Sequence, residues 1–291
     1  MQPEHFATEG IPRQYRASLE ACMASWRREE VPRAELEILG AGLSSCVGRW
    51  LAERWPYKAR ARPPTWFADA NHSLCSPLLV MSQNLSAHAS LALNHPGVQG
   101  PIIAVSERDP GKGVRWLRSP EAKESRLRIL GPVAQVAAAR WLLGRSPEPG
   151  LGPQEVQPMV PSAIVYDPSL DESDLAAHLV AWTWMELTAR PSPMVCDILG
   201  FAHGPLQAVA HKGREAPIWL FAKEDRRPLI EPLERSARSV GASVCLLRGE
   251  RFEDWWQTGW RAMVRHIRPP ESAGADDALY GIARPVLGLP L

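Results

Sequence analysis

The chain has 291 residues, of which 45% are hydrophobic and 22% charged, and its formal net charge is +1. That balance is ordinary for a soluble globular protein of one large or two medium domains, and it points to neither nucleic acid nor an acidic membrane surface. No apolar run approaches the roughly 20 residues of a bilayer span, and the opening MQPEHFATEG has no signal-peptide pattern, so a cytoplasmic protein is expected.

Tyr15, Leu19, Cys22, Met23 and Trp26 recur at helical spacing, so residues 11–29 are predicted to form an amphipathic lead-in helix. Leu36–Leu39 reads as a short strand and Gly40-Ala41-Gly42 as a tight turn, with Ser44 at the start of a helix reaching about Trp55. A loop rich in proline and arginine follows. LLVM over 78–81 is then a buried strand, Ser82 to Ser86 a polar turn, and the alanine- and leucine-rich stretch to Asn94 a helix. Ile102–Val105 is another strand, and Val133–Leu143 a helix apolar nearly all round, hence buried.

RSPEPGLGP over 145–153 is the best linker candidate, because Pro and Gly dominate it. The pattern then restarts: strand 162–166, helix 171–188, strand 217–222, helix 228–240, strand 243–247 and a tryptophan-rich helix 253–267. Strands alternating with helices of this length argue an α/β fold of parallel sheets flanked by helices. We expect two such units, over 35–145 and 154–268, with a helical lead-in over 1–34 and a tail over 269–291. Five cysteines stand singly, which fits reduced thiols and gives no zinc spacing. No metal or cofactor is expected.

Two strand-to-helix junctions carry hydroxyls: Gly42-Leu43-Ser44-Ser45 and Ser82-Gln83-Asn84-Leu85-Ser86. Ligands of open α/β sheets bind beyond the carboxyl ends of the strands, where helix N-termini suit a phosphate. Ser44 and Ser86 can equally serve as helix caps. Glu186 shares a helix face with Leu175, Leu179 and Trp182. A carboxylate on an apolar stripe either finds an ion-pair partner or has its pKa raised, as a general base requires. His203 lies in a glycine-flanked turn, GFAHGP, where the backbone can approach a ligand closely. The sequences around Gly40–Ser45 and Asp109–Gly113 lack the spacing of a dinucleotide fingerprint or a P-loop.

Together these pieces resemble the sugar isomerase (SIS) domain family, in the two-domain arrangement of the isomerase half of glucosamine-6-phosphate synthase. Gly42-Leu43-Ser44 matches that family's GTS loop, and Ser82-Gln83-Asn84-Leu85-Ser86-Ala87 its SQSGET phosphate loop. Glu186 upstream of Ala202-His203-Gly204-Pro205 matches its helix glutamate and KHGP turn, and residues 280–286 are a loose version of its C-terminal tail. The sequence departs from the pattern at Leu43, Asn84, Ala87, Thr183 and Ala202, where threonine, serine, threonine, lysine and lysine are expected. It also lacks the family enzyme's glutamine-hydrolysing domain.

The resemblance implies an aldose–ketose isomerase acting on a sugar phosphate or a related polyol, without glutaminase activity. Glu186 would shuttle the proton between adjacent carbons, His203 would open the ring, and Arg284 would stabilise the oxyanion. Gly42, Ser44, Ser82, Gln83, Asn84 and Ser86 would hold the substrate. It also implies a homodimer that shares site residues. The missing hydroxyls and lysines leave open a non-catalytic sugar-phosphate sensor or partner-binding subunit, and the same glutamate leaves open lytic β-elimination on a modified sugar.

Overall fold

The computed structural model describes residues 10–28, 31–121, 129–146, 160–188, 191–201, 205–210 and 217–263. His203, Arg284 and the expected tail lie outside these residues, as does most of the expected linker. Contacts divide the chain into two compact units, one within 27–118 and the other joining 10–26 to 119–263.

Helix α1 (Arg13–Ala24) is shorter than its apolar spacing suggested, and buries Tyr15, Leu19 and Met23. Trp26 is also buried but lies past the helix end, edge-on to Trp141 at 5.3 Å.

The unit within 27–118 is built on β1 (Leu36–Gly40), α2 (Leu43–Arg54), β2 (Ala59–Arg62), β3 (Leu78–Met81), α3 (Ala87–Leu93), β4 (Ile102–Ser106) and β5 (Val114–Arg118). All strand pairs are parallel, in the order β2-β1-β3-β4-β5. Strands β1 and β3 are buried at every position, as continuous apolar runs covered on both faces should be. Glu37 is the exception inside β1. Arg62 from β2 neutralises it with two hydrogen bonds of 2.6 and 3.0 Å, satisfying a carboxylate that burial would otherwise penalise. Leu39, Leu78, Val80 and Ala104 pack with Phe67, Leu74, Ala89 and Ala92 on one side of the sheet. The stretch after Trp55 is not all loop, since it holds β2 and a 3₁₀ turn over Pro64–Ala68.

The second sheet follows α4 (Leu130–Leu142). Its elements are β6 (Ala163–Tyr166), α5 (Ser173–Thr188), β7 (Met194–Asp197), α6 (Ile198–Phe201), α7 (Pro205–Ala210), β8 (Ile218–Ala222), α8 (Arg227–Ser239), β9 (Val244–Arg248) and α9 (Phe252–Met263). The strand order is β7-β6-β8-β9, again all parallel. Counted within its own sheet, each begins 2-1-3-4, so the two share one winding although no residue-level repeat links them. Helix α4, expected with the first sheet, groups with the second.

Helix α9 packs on α5 at close range, because a side chain at Gly259 would meet Val180 at 2.9 Å. Trp255, Trp256 and Trp260 of α9 are fully buried. Truncating such a residue to alanine typically costs about 3–5 kcal/mol. The α/β architecture of parallel sheets flanked by helices is therefore as expected. Among the described residues no helix is long and apolar enough to cross a membrane.

Candidate functional site

In an open parallel sheet the ligand crevice lies outside the strand carboxyl ends, where the strand order reverses. In the first sheet that point falls between β1 and β3, whose ends Gly40 and Met81 are register partners. Five of the sequence-predicted site residues sit on the two loops that leave these ends, and a sixth, Ser44, is in the first turn of α2.

The β1–α2 loop is shaped by two glycines. A side chain at Gly40 would put its Cβ 2.2 Å from the Ser44 carbonyl oxygen, so only glycine lets α2 start this close to the strand. Gly42 is the N-cap of α2 and has φ +58, the left-handed region that favours glycine. The Ser45 hydroxyl donates to the Gly42 carbonyl at 2.7 Å, and Ser44 is buried.

In the β3–α3 loop, the Ser82 amide donates to the Val105 carbonyl at 3.1 Å, extending the pairing of β3 with β4. The Ser82 hydroxyl oxygen accepts from the Ser86 amide at 3.1 Å, and the Ser86 hydroxyl oxygen accepts from the Ala89 amide at 3.4 Å. Ser86 thus caps α3, as one of its two readings held. The Gln83 side-chain amide donates to the Glu107 carboxylate at 2.5 Å. Asn84 is half-buried. Leu85 has φ 51, in the left-handed region where a non-glycine residue is strained. It occupies the glycine position of the SQSGET pattern.

Nothing in the sequence marks Glu107 as part of this site, because its contact with Gln83 spans two strand ends. Its carboxylate sets a negative charge beside a loop read as an anion cradle. Helix α3, with seven residues, also contributes only a short dipole.

Of the expected catalytic residues, Glu186 is in α5, but its side chain lies outside the described atoms. Leu175 and Leu179 of its face are buried and Trp182 is half-buried. Thr183, one turn earlier, is 3% exposed, and its hydroxyl has no hydrogen-bond partner among the described residues. His203 is outside the described residues, but the turn approaching it is ordered by Asp197, which accepts from the Leu199 and Gly200 amides at 2.9 and 2.7 Å. Burial, with Asp197 beside it, pushes the Cys196 thiol up to about 11, so it is no thiolate nucleophile at neutral pH.

The second sheet's reversal point, between β6 and β8, is closed by its own side chains. Asp167, 1% exposed, accepts from the Ser169 amide and hydroxyl at 2.9 and 2.7 Å. Arg226 donates to the Ser169 hydroxyl at 2.7 Å and lies 3.4 Å from the other Asp167 oxygen. No group of three or more metal-ligating side chains occurs among the described residues.

No family profile and no curated protein matches this sequence. Solved structures do share its fold. Glucosamine-6-phosphate deaminase from Thermotoga maritima is 12% identical, with 92% of this chain and 97% of that one covered and a TM-score of 0.60. The C-terminal domain of glucosamine-fructose-6-phosphate aminotransferase from Francisella tularensis is 10% identical over 90% and 95% of the two chains, TM-score 0.58. Tagatose-6-phosphate ketose/aldose isomerase from Escherichia coli is 17% identical over 93% and 95%, TM-score 0.56. At these identities the likeness establishes the fold alone.

Proposed function

We propose that this chain is a SIS-type protein with two such units, and that it binds a phosphorylated sugar or related polyol and interconverts its aldose and ketose forms. The observation that carries the reading is the convergence of the Gly42–Ser45 and Ser82–Ser86 loops on the reversal point of a parallel sheet. The fold supports it, because it is shared with proteins named as a sugar-phosphate deaminase and a sugar-phosphate isomerase. Ser44 and Ser82, whose hydroxyls can still donate, hold the substrate oxygens, with Gly42, Gln83, Asn84 and Ser86 shaping the loops around them.

Isomerisation needs one base that removes and returns a proton, an acid/base that opens the ring, and a cation for the enediolate oxygen. The resemblance assigns these roles to Glu186, His203 and Arg284 in a cytoplasmic homodimer. The test is solvent exchange. Wild type should incorporate deuterium from D₂O at C1 or C2 of a sugar-phosphate substrate, whereas Glu186→Gln should bind that sugar nearly as well without exchange. Normal exchange by the variant would remove Glu186 from the base role.

A second reading is a non-catalytic sugar-phosphate sensor. The engagement of Gln83 by Glu107 and of Ser86 as a cap favours it, since both withdraw groups from a ligand. Ligand binding by wild type without any proton exchange selects this reading.

A further inference from the structure

The segments that lead into β3 and β4 meet at the amino end of the first sheet, opposite the site loops. Leu74 and Val98 form a parallel bridge. The Leu74 amide donates to the Gly97 carbonyl and the Gln99 amide to the Leu74 carbonyl, each at 2.8 Å. His95-Pro96-Gly97-Val98 is a tight turn closed by the Val98 amide on the His95 carbonyl at 3.1 Å, with proline at the position that suits it.

The His95 side chain ties this seam from inside. It is 6% exposed, and its ring centre lies 5.8 Å from those of Trp66 and Phe67. The Gly97 amide donates to His95 Nδ1 at 3.1 Å, and His95 Nε2 lies 3.0 Å from the Asp69 carbonyl oxygen. An amide N–H only donates and a carbonyl only accepts, so Nδ1 carries no proton and Nε2 carries one. That is neutral imidazole in a single tautomer. A second proton would sit on Nδ1 and face the Gly97 N–H, donor against donor. The turn has no room to shift toward its neighbour, because a Cβ at Gly97 would lie 1.8 Å from the His72 carbonyl oxygen.

His72 is arranged the other way. Its Nδ1 donates to the Trp66 carbonyl at 2.8 Å, and its Nε2 stands 3.7 Å from an Asp69 carboxylate oxygen, so protonation there completes an ion pair. The Asn71 amide donates to Asp69 at 3.0 Å and holds that carboxyl below the usual value, so Asp69 stays charged where histidines change state. The other titratable or charged side chains of the packed segments are Cys75, His88 of α3, and Arg60 and Arg62 of β2, with Arg62 lying 5.0 Å over the Trp66 ring.

We propose that His95 is a proton-operated latch: unprotonated it ties the 95–98 turn to the 69–74 segment, and protonated it lets the turn go while the sheet stays folded. The closed seam excludes the second proton and the opened seam accepts it. The seam is therefore tied above the ordinary histidine range of about 6.5 and loosens as pH falls below it. The latch uses none of the residues assigned to the sugar site, so it stands or falls apart from that reading.

The test is residue-resolved amide hydrogen exchange on the full chain at pH 7.5 and 5.5, corrected for intrinsic rates, with histidine tautomers read from ¹H–¹⁵N spectra. At pH 7.5 His95 should show the Nε2–H tautomer. On acidification, protection of the Leu74, Gly97 and Gln99 amides should fall by up to about tenfold, the limit for one proton between about 6.5 and 5.5. The Ile38 and Val80 amides of the central strands should keep theirs. His95→Asn, whose side-chain oxygen still accepts from Gly97 but takes no proton, should lose the pH response, and His72→Asn should retain it. An Nδ1–H tautomer at pH 7.5, seam protection that ignores pH, or an equal loss in His95→Asn overturns the proposal. A response kept in His95→Asn and lost in His72→Asn overturns it by moving the sensor to His72. If His95→Asn does not fold, the wild type decides: seam protection must fall in step with His95 protonation, and loosening out of step with it overturns the latch.

Discussion

Gln83 and Glu107 hold each other twice across neighbouring strand ends: the Gln83 side chain donates to the Glu107 carboxylate at 2.5 Å, and the Glu107 amide donates to the Gln83 carbonyl at 2.8 Å. The pair fixes the β3–α3 loop, and it also places a carboxylate where a phosphate is expected. Glu107→Gln keeps a partner for Gln83 and removes the charge. At partly exposed separations this relieves about 1 kcal/mol of repulsion. Affinity for glucose 6-phosphate should rise about fivefold by calorimetry. An unchanged affinity would mean that no phosphate sits near this loop.

Ser82 and Ser86 separate a ligand role from a capping role. Ser86→Ala should lower stability by about 1 kcal/mol in urea unfolding, the usual worth of an N-cap, and leave sugar affinity within twofold. Ser82→Ala should weaken sugar-phosphate binding by more than it weakens the fold. If Ser86→Ala instead costs affinity and no stability, the assignments of the two serines exchange.

The strands that the sequence hid share one property. β2 (ARAR), β5 (VRWLR) and β7 (MVCD) each lie at an edge of their sheet. A central strand of a parallel sheet is covered on both faces and is apolar except where a buried partner such as Arg62 neutralises a charge, as LLVM of β3 and LEILG of β1 show. An edge strand is exposed along one side and tolerates charge and alternation, so its pattern does not stand out. The site divides in a similar way. Gly40, Gly42 and Ser86 were legible because turn and cap chemistry is local in sequence. The Gln83–Glu107 contact was not, because parallel pairing joins residues that no periodicity links.

Leu85 holds a left-handed conformation where the resembled family has glycine. A β-branched residue tolerates that region worst and asparagine tolerates it well. Leu85→Val should therefore unfold about 1–2 kcal/mol more readily than Leu85→Asn, although valine is closer to leucine in size and polarity. Equal urea midpoints would show that the loop relaxes out of the left-handed region at no cost.

Buried Arg140 donates to Glu172 at 2.5 Å and to Glu253 at 2.8 Å, and this cluster gives the fold a pH dependence with two limbs. Burial pushes the Glu172 carboxyl up, but its hydrogen bonds to Arg140 and that residue's charge outweigh burial and hold it below the ordinary 4.5. It therefore contributes stability that is present above about 4.5 and lost as pH falls further. Burial pushes Glu253 above the same ordinary value despite Arg140, with Glu172 adding to the rise. The folded state then holds the Glu253 proton more tightly than the unfolded chain, so stability falls as pH climbs from 4.5 toward the raised value. Glu253→Gln should remove this second limb. Its urea stability relative to wild type should improve between pH 5 and pH 7, while the acid limb set by Glu172 remains. Arg140→Met should be costly at neutral pH, by about 3–5 kcal/mol, because it leaves two buried carboxylates facing each other. Acidification should rescue part of that loss as the carboxylates protonate. If Arg140→Met is as unstable at pH 5 as at pH 7, packing of the arginine stem outweighs its charge.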